Sequence, residues 1–555
     1  MKTFHKILSI VLLISISLLF TQCFPDKGNY DYIELDRVTI DIAGTGVGED
    51  LAITIERGNT LQITPRVLLN GVEVDENNPL LSFRWIAFGE GVINTPENWR
   101  DTLGESIALD AIIGLPMGAS VLMFVVTHNE TGLQEYIRFR LTIEGGIPSG
   151  WMILYERDGN TDVGVIANDW ITRGITEERV LLDIFSFANG ELLSGRPIGI
   201  IHSQSGLAPH HVLIASENDM VAVNNMTFET WFTFEELTWG NAPVKRLNAL
   251  NAGPSMRDVA IINNRVHTCN LQMMGAMTRN VSGFGLPRLP DPDLVGLTHG
   301  KLALIQNFST ALEAVVYDQT YQRFLGLPMG AMHLRPFLAQ DQENYFDVND
   351  VGMELLMSDF GHGRGAPVAG AHPSTYTYSI MRDGGNHWLL IANFHAVAAS
   401  DPHPQLNIGV SVDDPRRINR NISRGKHNMS SAPGIANVSS MAVPQNGIFI
   451  YYSSENTLHI FRYLDGSTEV AWTAPPGEVI TTIRLQTFYN NARRTNATLG
   501  MLNLFELIHI GTWNENTQTG SVHQFRVDQV SGSILGEGRT YTGFGRIADM
   551  GWLTR

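Results

Sequence analysis

"LIHIGTWNENTQTGSVHQFRVDQVSGSI", residues 507–534, holds two apolar, β-branched runs around a polar turn, with a second polar turn behind them. Strand, turn and strand at this length read as a hairpin. The same unit recurs upstream in "GIFIYYSSENTLHIFRYLDGS" (447–467), "HWLLIANFHAVAAS" (387–400) and "KLALIQNFSTALEAVVYD" (301–318). It recurs again in "HHVLIASENDMVAVNNMTFE" (210–229) and "GWMILYERDGNTDVGVIA" (150–167). No fixed dipeptide marks the units, so the repeat is one of structure and is degenerate in sequence. A radial array of such hairpins is a β-propeller. The roughly 405 residues from Gly150 onward would make six to eight blades of roughly 50–70 residues, near or above the usual size. The C-terminal "GFGRIADMGWLTR" (543–555) supplies a strand that can complete the first blade and close the ring. The competing reading is a second and third β-sandwich.

Ahead of the repeats, residues 34–147 read as a separate all-β module. "RVTIDIAG" (37–44), "LSFRWIAFGEG" (81–91), "SVLMFVVTHNETG" (120–132) and "QEYIRFRLTIEGG" (134–146) are short runs bounded by Gly and Asn. That pattern predicts an antiparallel sandwich. The 53 glycines of the chain suit a turn-rich, all-β protein. Residues 148–555 are then the large β domain, read as the propeller.

The N-terminus predicts export. Lys2 and Lys6 precede an apolar run of 14 residues, 7–20. That is too short to span a bilayer as a helix and has the length of a secretory signal core. The run stops at Cys23, and Pro25, Asp26, Lys27, Gly28 and Asn29 follow. A cysteine at the cleavage point resembles a bacterial lipoprotein signal: residues 1–22 are removed, Cys23 carries lipid and 23–33 form a tether. Gln22 and Phe20 depart from the commonest residues of that signal. An ordinary signal peptide is the alternative. Several acyl chains on one cysteine would hold an otherwise soluble body stably at a membrane.

The segment "CFPDKGNYDY" (23–32) resembles the tether of PKD-like family lipoproteins of Bacteroidetes. Trp85-Ile86-Ala87-Phe88-Gly89-Glu90-Gly91 resembles the Trp-x-x-Phe-Gly-Asp-Gly signature of PKD domains, with Glu90 in place of Asp. Thr127-His128-Asn129 stands where such domains carry a Thr-Asp turn. In this resemblance Trp85 fills the sandwich core. These are marks of fold and carry no chemistry. The resemblance implies an accessory lipoprotein of a Sus-type glycan-utilisation locus, anchored at the outer membrane and facing the cell surface. A periplasm-facing anchor is the alternative. Implied partners are polysaccharide, a TonB-dependent transporter and Sus-type lipoproteins.

Composition narrows the function classes. Removing Lys2 and Lys6 with the signal takes 38 basic residues to 36 against 56 acidic, a balance of −20. Such a chain has no electrostatic case for nucleic acid. Cys269 is the only cysteine besides Cys23, so no disulfide framework and no Cys-x-x-Cys zinc site exist. It reads as a small buried hydrophobe.

The densest group of ionisable residues is "SDFGHGRGAPVAGAHPSTY" (358–376), with Asp359, His362, Arg364 and His372 in what reads as a Gly-rich loop. His395, Asp401 and His403 follow nearby. Loops on a β scaffold are where sites sit, but these spacings fit no metal-ligand pattern, and a plain surface insertion fits equally. His210 and His211 are adjacent and would point to opposite faces of a strand. Asp158, Asn160 and Asp162 have a calcium-like spacing, but Val163 stands where that loop needs Gly; a hairpin turn explains them better. No nucleophile elbow, phosphate loop or zinc-protease motif occurs, so no catalytic residue, metal or cofactor is assigned.

Aromatic side chains stack on sugars, and Trp170, Trp231, Trp239, Trp388 and Trp513 lie in or near turns. Trp513, Trp388, His362 and His372 are the candidate binding residues. The expected function is an accessory role in polysaccharide capture and uptake at the cell surface, through binding of glycan or of a partner protein. The rivals are a propeller lyase or hydrolase and a scaffold that only contacts an uptake complex.

Overall fold

Two arrangements of the same strand chemistry organise the chain. In the computed structural model the described residues are 36–57, 59–89, 100–113, 115, 118–144, 146–175, 177–203, 211–238, 245–252, 258–269, 284, 287–290, 297–305, 312–328, 332–337, 345–362, 375–394, 422–444, 448–487 and 501–553. They fall into two compact units divided between Glu144 and Gly145.

In the first unit strands such as Thr60–Ile63, Leu81–Gly89 and Gln134–Glu144 alternate between a buried and a more exposed face, as expected where only one side of a sheet meets a core. A five-stranded sheet runs in the order Ala52–Glu56, Gln134–Glu144, Gly118–His128, Leu81–Gly89, Arg100–Gly104. A three-stranded sheet (Val38–Asp41, Arg66–Leu69, Val72–Glu73) and the pair Thr60–Ile63 with Leu109–Ile112 complete the unit. Trp85 is fully buried in the shared core, stacked 4.6 Å from Phe124 and 5.9 Å from Phe139. Its indole N–H donates to the Ile107 carbonyl at 3.3 Å. One pairing departs from the antiparallel expectation: Ala52–Glu56 runs parallel to Gln134–Glu144. Parallel neighbours need a long crossover, and here the rest of the sandwich supplies it.

The second unit is a β-propeller. Its inner strands are buried on both faces, so they read as continuous apolar runs. Among the described residues seven blades follow one another, strands a to d running from innermost to outermost. In blade 2 these are Pro197–Ser203, His211–Ser216, Met220–Asn224 and Thr230–Phe232. Blades 5, 6 and 7 are four-stranded in the same consecutive order, starting at Glu354–His362, Val438–Ala442 and Glu478–Leu485. Among the described residues, blades 3 and 4 show three strands each, starting at Leu247–Ala252 and Leu302–Ile305. Their fourth positions are short stretches joined by the bridges Val266 to Arg288 and Gly326 to Arg335.

Blade 1 closes the ring. Its b, c and d strands are Gly150–Arg157, Asn160–Ala167 and Arg179–Leu181, while its a strand is the C-terminal Arg546–Leu553. Gly150 pairs with Leu553 and Trp151 with Trp552. The C-terminal segment therefore completes the first blade, as its sequence suggested. The closing strand enters beside Glu156, where a Cβ on Gly545 would overlap the Glu156 carbonyl oxygen.

Side chains of one strand alternate between two blade interfaces. Met152 and Leu154 pack toward blade 2 with Val212 and Ile214, while Trp151, Ile153 and Tyr155 pack toward blade 7 with Leu507 and Val522. Equivalent cores join each remaining pair of neighbours round the ring. The Asp158-Gly159 turn has positive φ at both residues, 51° and 77°, the two-residue hairpin geometry that Asp-Gly favours.

Candidate functional site

Antiparallel alternation places the a–b and c–d connections of a blade at one end and its b–c turn at the other. The b–c turns are short, two to four residues. The a–b connections span 5 to 21 residues, and the c–d connection of blade 5 spans 30. In blade 5, Glu354–His362 and Asn386–Ala392 end at the a–b end, and Thr375–Asp383 and Ser423–Asn428 begin there. The two connections that carry the His-rich segments, 363–374 and 393–422, thus leave from the same end of one blade, although two strands separate them in sequence.

Asp359 and His362 themselves sit on the innermost strand of blade 5 and not in a loop, a correction to the sequence reading. A Gly-rich segment continues as strand here because Gly361 lets the backbone approach Val443 and Pro444 of blade 6, which a Cβ would strike. His362 ends that strand. Arg364, His372, His395, Asp401 and His403 lie outside the described residues, as do Cys23, His210, Trp239 and the Glu90-Gly91 turn.

Other blades bury polar side chains at the same end. His202 and His211 lie there in blade 2, Asp258 and His267 in blade 3, and Glu313 in blade 4. His211 packs edge-on to Trp231, ring centroids 4.6 Å apart. In blade 7, His509 is stacked on Trp151 at 4.2 Å, with Gln486 Oε1 3.1 Å from its Nε2 and Gln524 Nε2 3.2 Å from its Nδ1. Burial pushes its pKa down to about 3, so this imidazole stays neutral and acts as part of the packing.

The axis of the ring is stapled by charge. Arg484 on the innermost strand of blade 7 donates to Asp549 Oδ1 of blade 1 at 2.7 and 3.2 Å. Asp549 Oδ2 accepts the Ile200 N–H of blade 2 at 3.2 Å. Asp359 Oδ2 accepts the Val443 N–H of blade 6 at 2.9 Å. Burial raises the Asp359 carboxyl to about 6, against the opposing pull of the Arg484 charge and the Phe360 and Val443 N–H groups. Asp359 can therefore hold or release a proton near neutral pH. Sequence reading missed Arg484, Asp549 and Glu313. A signal existed for Asp549 and Glu313: each is an acid flanked by apolar residues within a strand.

The tryptophans are placed differently from one another. Trp513 is 8% exposed and donates its indole N–H to Glu515 at 2.6 Å. Trp388 is half-buried against the core between blades 4 and 5, with Lys426 Nζ 4.7 Å from its ring centre. Trp170 lies between the guanidinium groups of Arg526 and Arg539, 5.0 and 4.3 Å from the ring. Asp162 is taken up by the N–H groups of Val163 and Ser186 and the Ser186 hydroxyl. Among the described residues no group of three or more His, Cys, Asp or Glu is arranged to hold a metal, and no helix is long and apolar enough to cross a membrane.

The two units define a class: a PKD-like domain followed by a propeller. Residues 23–197 match the PKD-like family. The match runs past the division between the units, through the b, c and d strands of blade 1. Comparison with curated proteins finds no match. Among solved structures, the chain is similar to a quinonprotein alcohol dehydrogenase-like protein from Bacteroides thetaiotaomicron. The likeness has a TM-score of 0.40 and 11% identity, covering 94% of this chain and 100% of the other. A chain of the mitotic checkpoint complex (TM-score 0.32, 9% identity, 61% and 78% covered) and Hsv2 of Kluyvelomyces marxianus (0.31, 7%, 76% and 95%) are also similar.

Proposed function

We propose that this protein is a surface lipoprotein, anchored through Cys23, that binds polysaccharide for an outer-membrane uptake system. The propeller's a–b face is the ligand face. One observation carries this reading. Buried polar side chains of four successive blades, His202, His211, Asp258, His267, Glu313 and Asp359, lie toward that end of their strands, the end from which the connections 363–374 and 393–422 of blade 5 leave. Buried donors and acceptors on rigid strands suit a polyhydroxylated ligand. The sandwich then serves as spacer between lipid and propeller.

The test is affinity electrophoresis of the chain from Phe24 onward in gels holding single polysaccharides, with reducing-end release read on the same samples. Retention without release is expected. Release would replace the reading with a lyase or hydrolase. No retention together with co-purification of a TonB-dependent transporter would replace it with a scaffold. Lipid labelling abolished by Cys23→Ala is expected of the anchor.

A further inference from the structure

The sandwich has a face of its own that its role as spacer does not use. The outward side of the five-stranded sheet is laid out in three successive rows across its central strands. Arg84 stands beside Val125 and Tyr136, Ile86 beside Met123 and Arg138, and Phe88 beside Val121 and Arg140. Every row thus carries one arginine and two apolar or aromatic side chains, and none carries an acid. In a chain with 56 acidic and 38 basic residues, a three-row sheet face without an acid is a marked local reversal of charge.

Val121 and Val125 point outward yet are only 6% and 4% exposed, because long neighbours cover them with their stems. Tyr136 is 57% exposed, and Arg84, Arg138 and Arg140 are exposed. Arg140 also reaches the Asp50 carbonyl at 3.5 Å. Rows repeat at roughly 7 Å along a strand, and Arg84 lies two strands from Arg138, on the order of 10 Å across the sheet. The acids at the margins are Glu56 and Glu144 at one end of the sheet. Glu76 and Glu105 line a cavity of about 510 Å³ beside Arg84 at the other side.

We propose that this face binds an anionic polysaccharide, a second site distinct from the propeller face. Guanidinium groups take carboxylate or sulfate groups in forked hydrogen bonds. Tyr136, Phe88 and Met123 offer apolar surface to the C–H faces of the sugar rings between those groups. A neutral glycan would leave the arginines without counterions, and the spaced charge suits a repeating polyanion better than a single small anion.

The experiment uses the chain from Phe24 onward in affinity gels holding polygalacturonate, chondroitin sulfate or a neutral β-glucan, with single-stranded DNA as a competing polyanion. Retention by polygalacturonate or chondroitin sulfate is expected, weakening as salt rises; which of the two is retained distinguishes carboxylate from sulfate. Arg138→Gln with Arg140→Gln should weaken it at least tenfold, and Tyr136→Ala severalfold, with unchanged thermal midpoints. Retention of the neutral glucan, if present, should survive these exposed substitutions, which separates this site from the propeller face. The proposal is overturned by no retention on either polyanion, by retention indifferent to the arginine pair, or by DNA competing as well as the polysaccharides.

Discussion

Replacing Asp359 with asparagine isolates one buried charge at the axis of the ring. The native carboxyl is raised from 3.8 to about 6, mainly by burial. A raised carboxyl means that the folded chain holds the proton more tightly than the unfolded one. The stability linked to that proton is complete below about pH 4 and is lost as pH rises through about 6. A shift of about two units corresponds to roughly 3 kcal/mol. Asparagine is neutral at every pH and keeps an oxygen to accept the Val443 N–H. Relative to the native chain, Asp359→Asn should therefore gain about 3 kcal/mol between pH 4 and pH 8. For a cooperative unit of about 400 residues the unfolding entropy is roughly 0.9 kcal/mol/K, so the gain is about 3 °C in midpoint. Scanning calorimetry of both proteins at half-unit pH steps reads it. A midpoint difference that stays flat from pH 4 to 8, or that moves against the variant as pH rises, would refute the reasoning.

Other perturbations test separate parts of the fold. Asp549→Ala removes the acceptor shared by Arg484 and the Ile200 N–H; with both charged partners partly exposed the loss should be about 2 kcal/mol, read by urea unfolding. Gly545→Ala should cost about 3 kcal/mol by displacing the closing strand from Glu156, and limited proteolysis should then release the C-terminal segment first. Trp85→Ala should cost about 3–5 kcal/mol in the smaller unit, lowering its calorimetric transition while that of the propeller stays in place. His509, depressed from 6.5 to about 3 by burial, supports the fold above about pH 6.5 and loses that support as pH falls toward 3. The native chain should therefore lose about 3 kcal/mol between pH 7.5 and 4.5 that His509→Gln does not lose.

Much of the architecture was legible along the chain because it is local. Strand, turn and strand at 150–167 and the Asp158-Gly159 hairpin each depend on residues within a few positions of one another, whereas Trp85 is buried by Phe124 and Phe139 from distant strands. A run such as "GWMILYER" is apolar throughout because both of its faces are covered, and that too is written in consecutive residues. Sequence limited the propeller to six to eight blades, and seven are seen among the described residues. It could not fix the number, because the degenerate repeat carries no motif that marks a blade edge.

The site was legible only in pieces. Asp359 stands out among the glycines and histidines around it but reads as a loop residue, since nothing local says that Gly361 lets a strand pass close to blade 6. Arg484, Asp549 and Ile200 are drawn from blades 7, 1 and 2, and Asp549 stands 349 positions from Ile200. Nor does spacing reveal that Arg84, Arg138 and Arg140 share one acid-free sheet face, because they belong to hairpins whose register is set only when the strands pair. By itself the sequence determined the strands and their turns. The tertiary structure alone decided which strand ends meet, because ring closure by Arg546–Leu553 sets the neighbours of every blade and leaves no mark in local periodicity.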